Sequence, residues 1–148
     1  MMRLYRLSHW LYNLGVPVLP HLIYVFNRLV FSAVIPPSVR IGRDVVLGYH
    51  GLCIVIHRRV VIGDNVVIAP GVTIGGRSEL LDVPVIESDV LIGAGAKILG
   101  PVRIGRGAKI GANAVVLQDV PASAVAVGIP ARLILRGDGL ADEQALDS

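Results

Sequence analysis

Large rings and charge are both scarce in this 148-residue sequence: aromatic residues make up 5% and charged residues 17%, while hydrophobic residues reach 53%. A core of packed rings is therefore excluded. The apolar mass must come from small aliphatic side chains, a composition suited to thin, stacked layers. The single cysteine, Cys53, rules out an internal disulfide framework and cannot build a zinc cluster. It reads as a small buried apolar residue in a reducing compartment. Long uninterrupted apolar runs are also missing. Residues 11–35 are broken by Asn13, Gly15, Pro17, Pro20, His21, Asn27 and Arg28, so neither a membrane span nor a cleavable signal peptide is expected, and the cytoplasm is the expected location.

Acidic residues are few outside the C-terminus. Asp138, Asp142, Glu143 and Asp147 fall in the last twelve residues, leaving the preceding body with 14 basic residues against 7 acidic ones, about +7. Such a balance suits a phosphorylated cofactor or an anionic membrane surface. Nucleic acid is not expected, because the cations are scattered and lack interleaved aromatics.

What the chain does have is rhythm. Aliphatic residues recur every six positions at Ile56, Ile62, Ile68, Ile74, Leu80, Ile86, Ile92, Ile98, Ile104, Ile110 and Val116. The next position is often glycine (Gly63, Gly75, Gly93, Gly105, Gly111), and the fifth is small or β-branched except at Ser78 and Pro84. A period of six fits neither a 3.6-residue helix nor a plain alternating strand. It predicts a short strand plus a corner, with the aliphatic residue stacked inward, the small residue filling the angle and glycine supplying the corner's unusual backbone. The phase breaks once, because Leu47 and Ile56 are nine apart, which places three extra residues within 48–54.

Before the repeat, Leu4, Leu7, Leu11 and Leu14 follow helical spacing, and a second apolar stretch covers 21–31 after Pro17 and Pro20. Two helices capping the first coil are predicted, with adhesion to a membrane surface as a second role for this Arg-bearing segment. The expected organisation is a helical cap over 1–35, a solenoid over 36–135 and an acidic, flexible tail over 136–148.

The runs Val72-Thr73-Ile74-Gly75-Gly76, Ile92-Gly93-Ala94-Gly95-Ala96-Lys97-Ile98-Leu99-Gly100 and Gly128-Ile129-Pro130-Ala131-Arg132 resemble the hexapeptide-repeat acyltransferases. The resemblance covers about residues 35 to 135 and is strongest to serine acetyltransferases and to short relatives from polysaccharide gene clusters. It implies a left-handed parallel β-helix, mainly β, working as a homotrimer with acetyl-CoA in the groove between subunits. The matching cofactor positions are Gly75, Gly76, Ala94, Lys109 and Arg132. Glycine and alanine let a pantetheine arm approach the backbone, and cations suit the adenosine phosphates. Repeat geometry alone also favours small residues at Gly76 and Ala94, and Lys109 also suits a solvated face.

Acetyl transfer to an alcohol needs a base, and histidine matches neutral pH. His9 and His21 fall in the cap and read as surface or satisfied residues. His50 lies in the three-residue insertion and matches the family's catalytic histidine if one residue is inserted beside it. His57, in the context Val-Ile-His, is the rival. No metal is expected: a metal-dependent carbonic anhydrase on this fold needs three histidines, and only His50 and His57 lie in the repeat.

Two departures from the serine acetyltransferase pattern stand out. The family's histidine-orienting aspartate falls at Val34, and its carboxylate-gripping Arg-His pair falls near Asp82 and Val83. An amino-acid carboxylate without a cationic partner binds poorly, so a sugar or polysaccharide-precursor hydroxyl is the expected small-molecule acceptor. Asp44, Asp64 and Asp82 are candidate replacements for the orienting carboxylate, each equally readable as a solvated turn residue. The alternative to an enzyme is a non-catalytic trimeric β-helix scaffold or binding module.

Overall fold

A computed structural model describes residues 2–77, 80 and 82–134. Helices α1 (Met2–Asn13) and α2 (Leu19–Phe31) precede fourteen strands of two or three residues each. The strands stack in three columns. The first holds β1 (Arg40–Ile41), β4 (Val61–Ile62), β7 (Val85–Ile86) and β10 (Arg103–Ile104). The second holds β2 (Val46–Leu47), β5 (Val67–Ile68), β8 (Leu91–Ile92), β11 (Lys109–Ile110) and β13 (Val125–Val127), with β14 (Arg132–Ile134) added at its edge. The third holds β3 (Val55–Ile56), β6 (Thr73–Gly75), β9 (Lys97–Leu99) and β12 (Val115–Val116). Every pairing is parallel except that of β13 with β14. The expected mainly-β solenoid with a two-helix cap is therefore the observed one, a parallel β-helix.

The register explains the six-residue rhythm. Ile62 lies over Ile86, Ile68 over Ile92 and Ile74 over Ile98, so each inward aliphatic residue packs on its counterpart one coil away. These isoleucines are buried, and each side chain contributes about 1.5–3 kcal/mol by leaving water.

Glycine plays a different part from the one expected. At Gly63, Gly93 and Gly105 the backbone is ordinary, but an added Cβ would lie 2.7 Å from Ser88 N, 2.6 Å from Ala112 N and 2.5 Å from Ala122 N. These glycines serve the close approach of neighbouring coils. The left-handed backbone falls two residues later, in one stacked corner formed by Asp44, Asn65, Asp89, Gly107 and Ser123, with φ between 53° and 69°, and in another formed by Gly71, Gly95 and Asn113, with φ between 57° and 72°. Asn and Asp tolerate that region because a short polar side chain bonds locally. Asn65 does so between layers, donating from Nδ2 to Asp89 Oδ1 at 3.1 Å.

Two excursions leave the coil, not one. Val85 pairs with Arg103, 18 positions on, whereas Arg40 pairs with Val61 and Val61 with Val85, separations of 21 and 24. The first excursion adds the expected three residues within 48–54. The second adds six within 76–84, a whole hexad, so it preserves the phase and cannot show in a six-residue rhythm. Leu80 is accordingly 46% exposed and is not an inward stacking residue. Cys53, on a left-handed backbone in the first excursion, is exposed and not buried as its residue type suggested.

The cap seals the first coil. Buried Tyr5 donates from its hydroxyl to the Val39 carbonyl, and burial pushes its phenol well above the usual range. Arg6 donates to the carbonyls of Ile41 and Gly42, and Ser8 Oγ donates to the Pro20 carbonyl at 3.0 Å, joining α1 to α2. The expected tail over 136–148 lies outside the described residues.

Gly93→Ala should lower stability by about 1–3 kcal/mol, because the new methyl group meets backbone that cannot move aside. Thermal unfolding measures this. Corner carboxylates should add a pH dependence. The Arg43 amide at 2.6 Å holds Asp64 below the usual carboxylate range, and the Arg103 guanidinium at 2.8 Å, then the Arg106 amide, do the same for Glu87. Depressed carboxyls stabilise the fold above their unfolded values and lose that contribution as pH falls through their folded values. The melting temperature should therefore fall as pH drops below about 4, and the dependence should be shallower in Asp64→Asn and Glu87→Gln.

Candidate active site

Both excursions border the third column: residues 48–54 lead into β3, and residues 76–84 leave β6. His50 sits in a 3-10 turn over Gly48–Gly51, with consecutive left-handed residues at Tyr49 (φ 48°) and His50 (φ 58°). Such residues cost about 1–3 kcal/mol each and persist only where the surrounding structure imposes them. The His50 ring is exposed and stacks on Phe31 at the end of α2, with centroids 6.2 Å apart and planes inclined by 20°. Among the described residues no carboxylate and no hydrogen-bonding side chain meets that ring.

His57 is held differently. Its amide donates to the Ile74 carbonyl at 2.8 Å, and its Nδ1 accepts from the Arg59 amide at 3.3 Å. A neutral ring that accepts at Nδ1 carries its proton on Nε2, so neither nitrogen has a free lone pair. Its side chain lines a mostly apolar groove of about 370 Å³ with Val34, Val55, Thr73 and Gly75.

The two glycines below His57 are open. A Cβ at Gly75 would meet nothing within 4 Å, and one at Gly76 would only touch Val83 Cγ1 at 4.0 Å. Unlike Gly93 or Gly105, neither is required by coil packing. Ala94 is exposed at the opposite corner of the same column, between Gly93 and Gly95, while Lys109 lies on β11 of the second column and Arg132 on β14. A single chain thus brings Gly75 and Gly76 together but leaves Ala94, Lys109 and Arg132 on other edges.

The aspartates proposed to orient a histidine are placed elsewhere. Asp64 is paired with Arg43 at 3.4 Å, Asp44 occupies a left-handed corner, and Asp82 lines a cavity of about 480 Å³ with Arg59, Arg103 and Asp119. Val34 is half-buried and bridges Val55. Of the cap histidines, His9 is tied to the Pro37 carbonyl at 2.6 Å and to Asn13 at 3.1 Å, while His21 is exposed beside Tyr24. Sequence reasoning missed Phe31, whose only signal is an aromatic residue at the end of the second helix. It also missed Lys97, whose Nζ donates to the Gly71 carbonyl at 2.7 Å and fastens the corner below the His50 excursion. Among the described residues no cluster of three His, Cys, Asp or Glu could hold a metal.

Residues 84–118 match the bacterial transferase hexapeptide family (six repeats), and residues 38–76 match the hexapeptide repeat of succinyl-transferase. With three columns of stacked short strands, these matches identify the solenoid as a run of hexapeptide repeats like those of such transferases. More narrowly, it is similar to serine acetyltransferases. It is 42% identical over 97% of its length to the serine acetyltransferase of Escherichia coli K12, covering 52% of that protein. To the Synechococcus elongatus serine acetyltransferase it is 40% identical over 89% of its length, covering 54% of that protein. The structure superposes on soybean serine acetyltransferase complexed with serine at a TM-score of 0.84 and 40% identity, over 90% of this chain and 55% of the soybean one. A Brucella abortus serine acetyltransferase in complex with coenzyme A gives 0.85 and 38%, over 90% of this chain and 54% of that one. The chain spans about half the length of the curated relatives it matches. The expected kinship with polysaccharide-cluster enzymes, and with it the sugar acceptor, finds no support in these relatives, which are named for serine.

Because Gly75 faces open space, Gly75→Ala should leave the melting temperature within about 2 °C of the parent, against a loss of about 4 °C or more in Gly93→Ala.

Proposed function

We propose that this chain moves an acetyl group from acetyl-CoA to the hydroxyl of serine, with His50 as general base. The observation that carries the reading is the place of His50. It stands exposed, on a strained backbone, in the three-residue excursion beside the third column, with its ring nitrogens free of described partners. The serine acetyltransferase relatives, including structures with coenzyme A and with serine, support the donor and the acceptor.

The serine hydroxyl attacks the thioester carbonyl as His50 takes its proton. The tetrahedral oxyanion is steadied by a backbone N–H near Gly75 or Gly76. Collapse breaks the carbon–sulfur bond, and the imidazolium returns the proton to the departing thiolate, giving O-acetylserine and free coenzyme A. No acyl-enzyme is needed. His57, with Nδ1 occupied by the Arg59 amide, serves to shape the groove.

A homotrimer completes the site in this reading. Gly75 and Gly76 of one copy face Ala94, Lys109 and Arg132 of the next, which explains why one chain leaves them on separate edges. Light scattering should report three copies per particle.

The decisive assay follows thiol release from acetyl-CoA with serine, nucleotide sugars and simple glycosides as acceptors. Release is expected with serine. His50→Ala should lower turnover about 100-fold or more, the usual loss on removing a general base, and His57→Ala less than about tenfold. Coenzyme A binding without release to any acceptor would instead make the chain a scaffold, the reading favoured by a His50 ring that lacks an orienting carboxylate.

A further inference from the structure

The cap carries apolar residues on its outer surface as well as against the coil. Tyr5 and Ser8 of α1 and Pro20 and Asn27 of α2 are the buried residues of the two helices, and Asn27 Oδ1 is buried without a hydrogen-bond partner. Met2, Leu4, Leu11 and Ile23 are half-buried, but a further set of large aliphatic and aromatic residues is exposed. On α1, Leu7, Trp10 and the following Leu14 succeed Arg3 at intervals of four, three and four, and are 46%, 57% and 60% exposed. Helical geometry sets residues at that spacing along one line. On α2, Leu22, Phe26 and Leu29 repeat the pattern at 57%, 52% and 78% exposure, flanked by Val25 and Val30. Covering the end of a coil requires apolar residues on the inner face, and it leaves two outward apolar stripes without explanation.

Charge narrows the choice of what meets them. The first carboxylate of the sequence is Asp44, so the cap carries only positive charge, from Arg3, Arg6 and Arg28. Arg6 is committed to the carbonyls of Ile41 and Gly42, while Arg3 and Arg28 are exposed. A symmetric contact with a second copy would set the same arginines against one another with no acidic residue in the cap to pair them. Anionic lipid headgroups supply the missing negative charge and accept the apolar stripes as well.

We propose that the two-helix cap is an interfacial anchor that lies on an anionic bilayer and holds the β-helix against it. Its helices, of 12 and 13 residues, fall short of the roughly 20 needed to span, and no described helix is long and apolar enough to cross. Trp10 suits headgroup depth, where a ring is half in hydrocarbon and half in water. The proposal rests on the cap alone and stands or falls independently of the acetyl-transfer reading.

Trp10 is the only tryptophan, so its fluorescence reports the cap without labelling. The full chain is sedimented with vesicles of phosphatidylcholine alone and with vesicles also containing phosphatidylglycerol. It should sediment only with the latter, shift Trp10 emission to the blue and dissociate as salt rises. Leu29→Glu and Arg3→Glu, both at exposed positions, should each reduce the bound fraction roughly tenfold with unchanged melting temperature. Val46→Glu, on an exposed strand position of the solenoid, should bind as the parent does. The proposal is overturned by failure to sediment with the phosphatidylglycerol vesicles, by sedimentation without an emission shift, or by equal losses in Val46→Glu and Leu29→Glu. It is also overturned if Trp10 emission is already blue-shifted in lipid-free buffer, which would show that another copy of the chain covers the stripe.

Discussion

The spacing between successive coils governs everything else in this molecule. Parallel pairing in three columns brings one layer of backbone so close to the next that a single methyl group at Gly63, Gly93 or Gly105 would overlap main-chain atoms of the neighbouring turn. The same closeness lets an isoleucine fill the triangular section with its counterpart above and below, so a core arises without large aromatics. Composition and architecture thus follow from one distance. Wherever a glycine is not needed to maintain it, as at Gly75 and Gly76, the reason for the glycine has to be sought in chemistry.

That contrast separates what could be read in the residue order from what could not. The solenoid, its inward isoleucines and the first excursion were legible because each disturbs or sustains a six-residue phase. The second excursion was invisible because it adds six residues, and Leu80 falls on the beat without entering the core. The role of the second-position glycines was also misread, since periodicity shows where a small residue recurs and not whether conformation or clearance demands it. The first helix was legible from leucine spacing and the second from an apolar stretch after two prolines, but the stacking of Phe31 on His50 joins residues from different elements and leaves no periodic trace.

The candidate site shows the same division. His50 and His57 could both be selected by residue type. The insertion already set His50 apart in the sequence, but the bond from the Arg59 amide to His57 Nδ1 that also separates them comes from a backbone donor, which has no signature there. The aspartates at positions 44, 64 and 82 were interchangeable on paper and are not so in space. A left-handed corner, an ion pair with Arg43 and a separate cavity account for them in turn. Acceptor chemistry inferred from a missing Arg-His pair pointed to sugars, whereas the relatives are serine enzymes. The absence of one cationic pair is weak evidence about the acceptor.

The reversed direction of β14 bears on more than the last coil. Parallel coils present, at each rim, the edge on which another could form, and an exposed rim invites end-to-end growth into fibres. At one rim α1 occupies that edge through Tyr5 and Arg6; at the other, β14 turns the terminal strand of the second column antiparallel, a direction on which no further coil of the same winding can be templated. Among the described residues the second column is thereby closed to a further parallel coil at one rim, and outer carbonyls of the first column are occupied at the other.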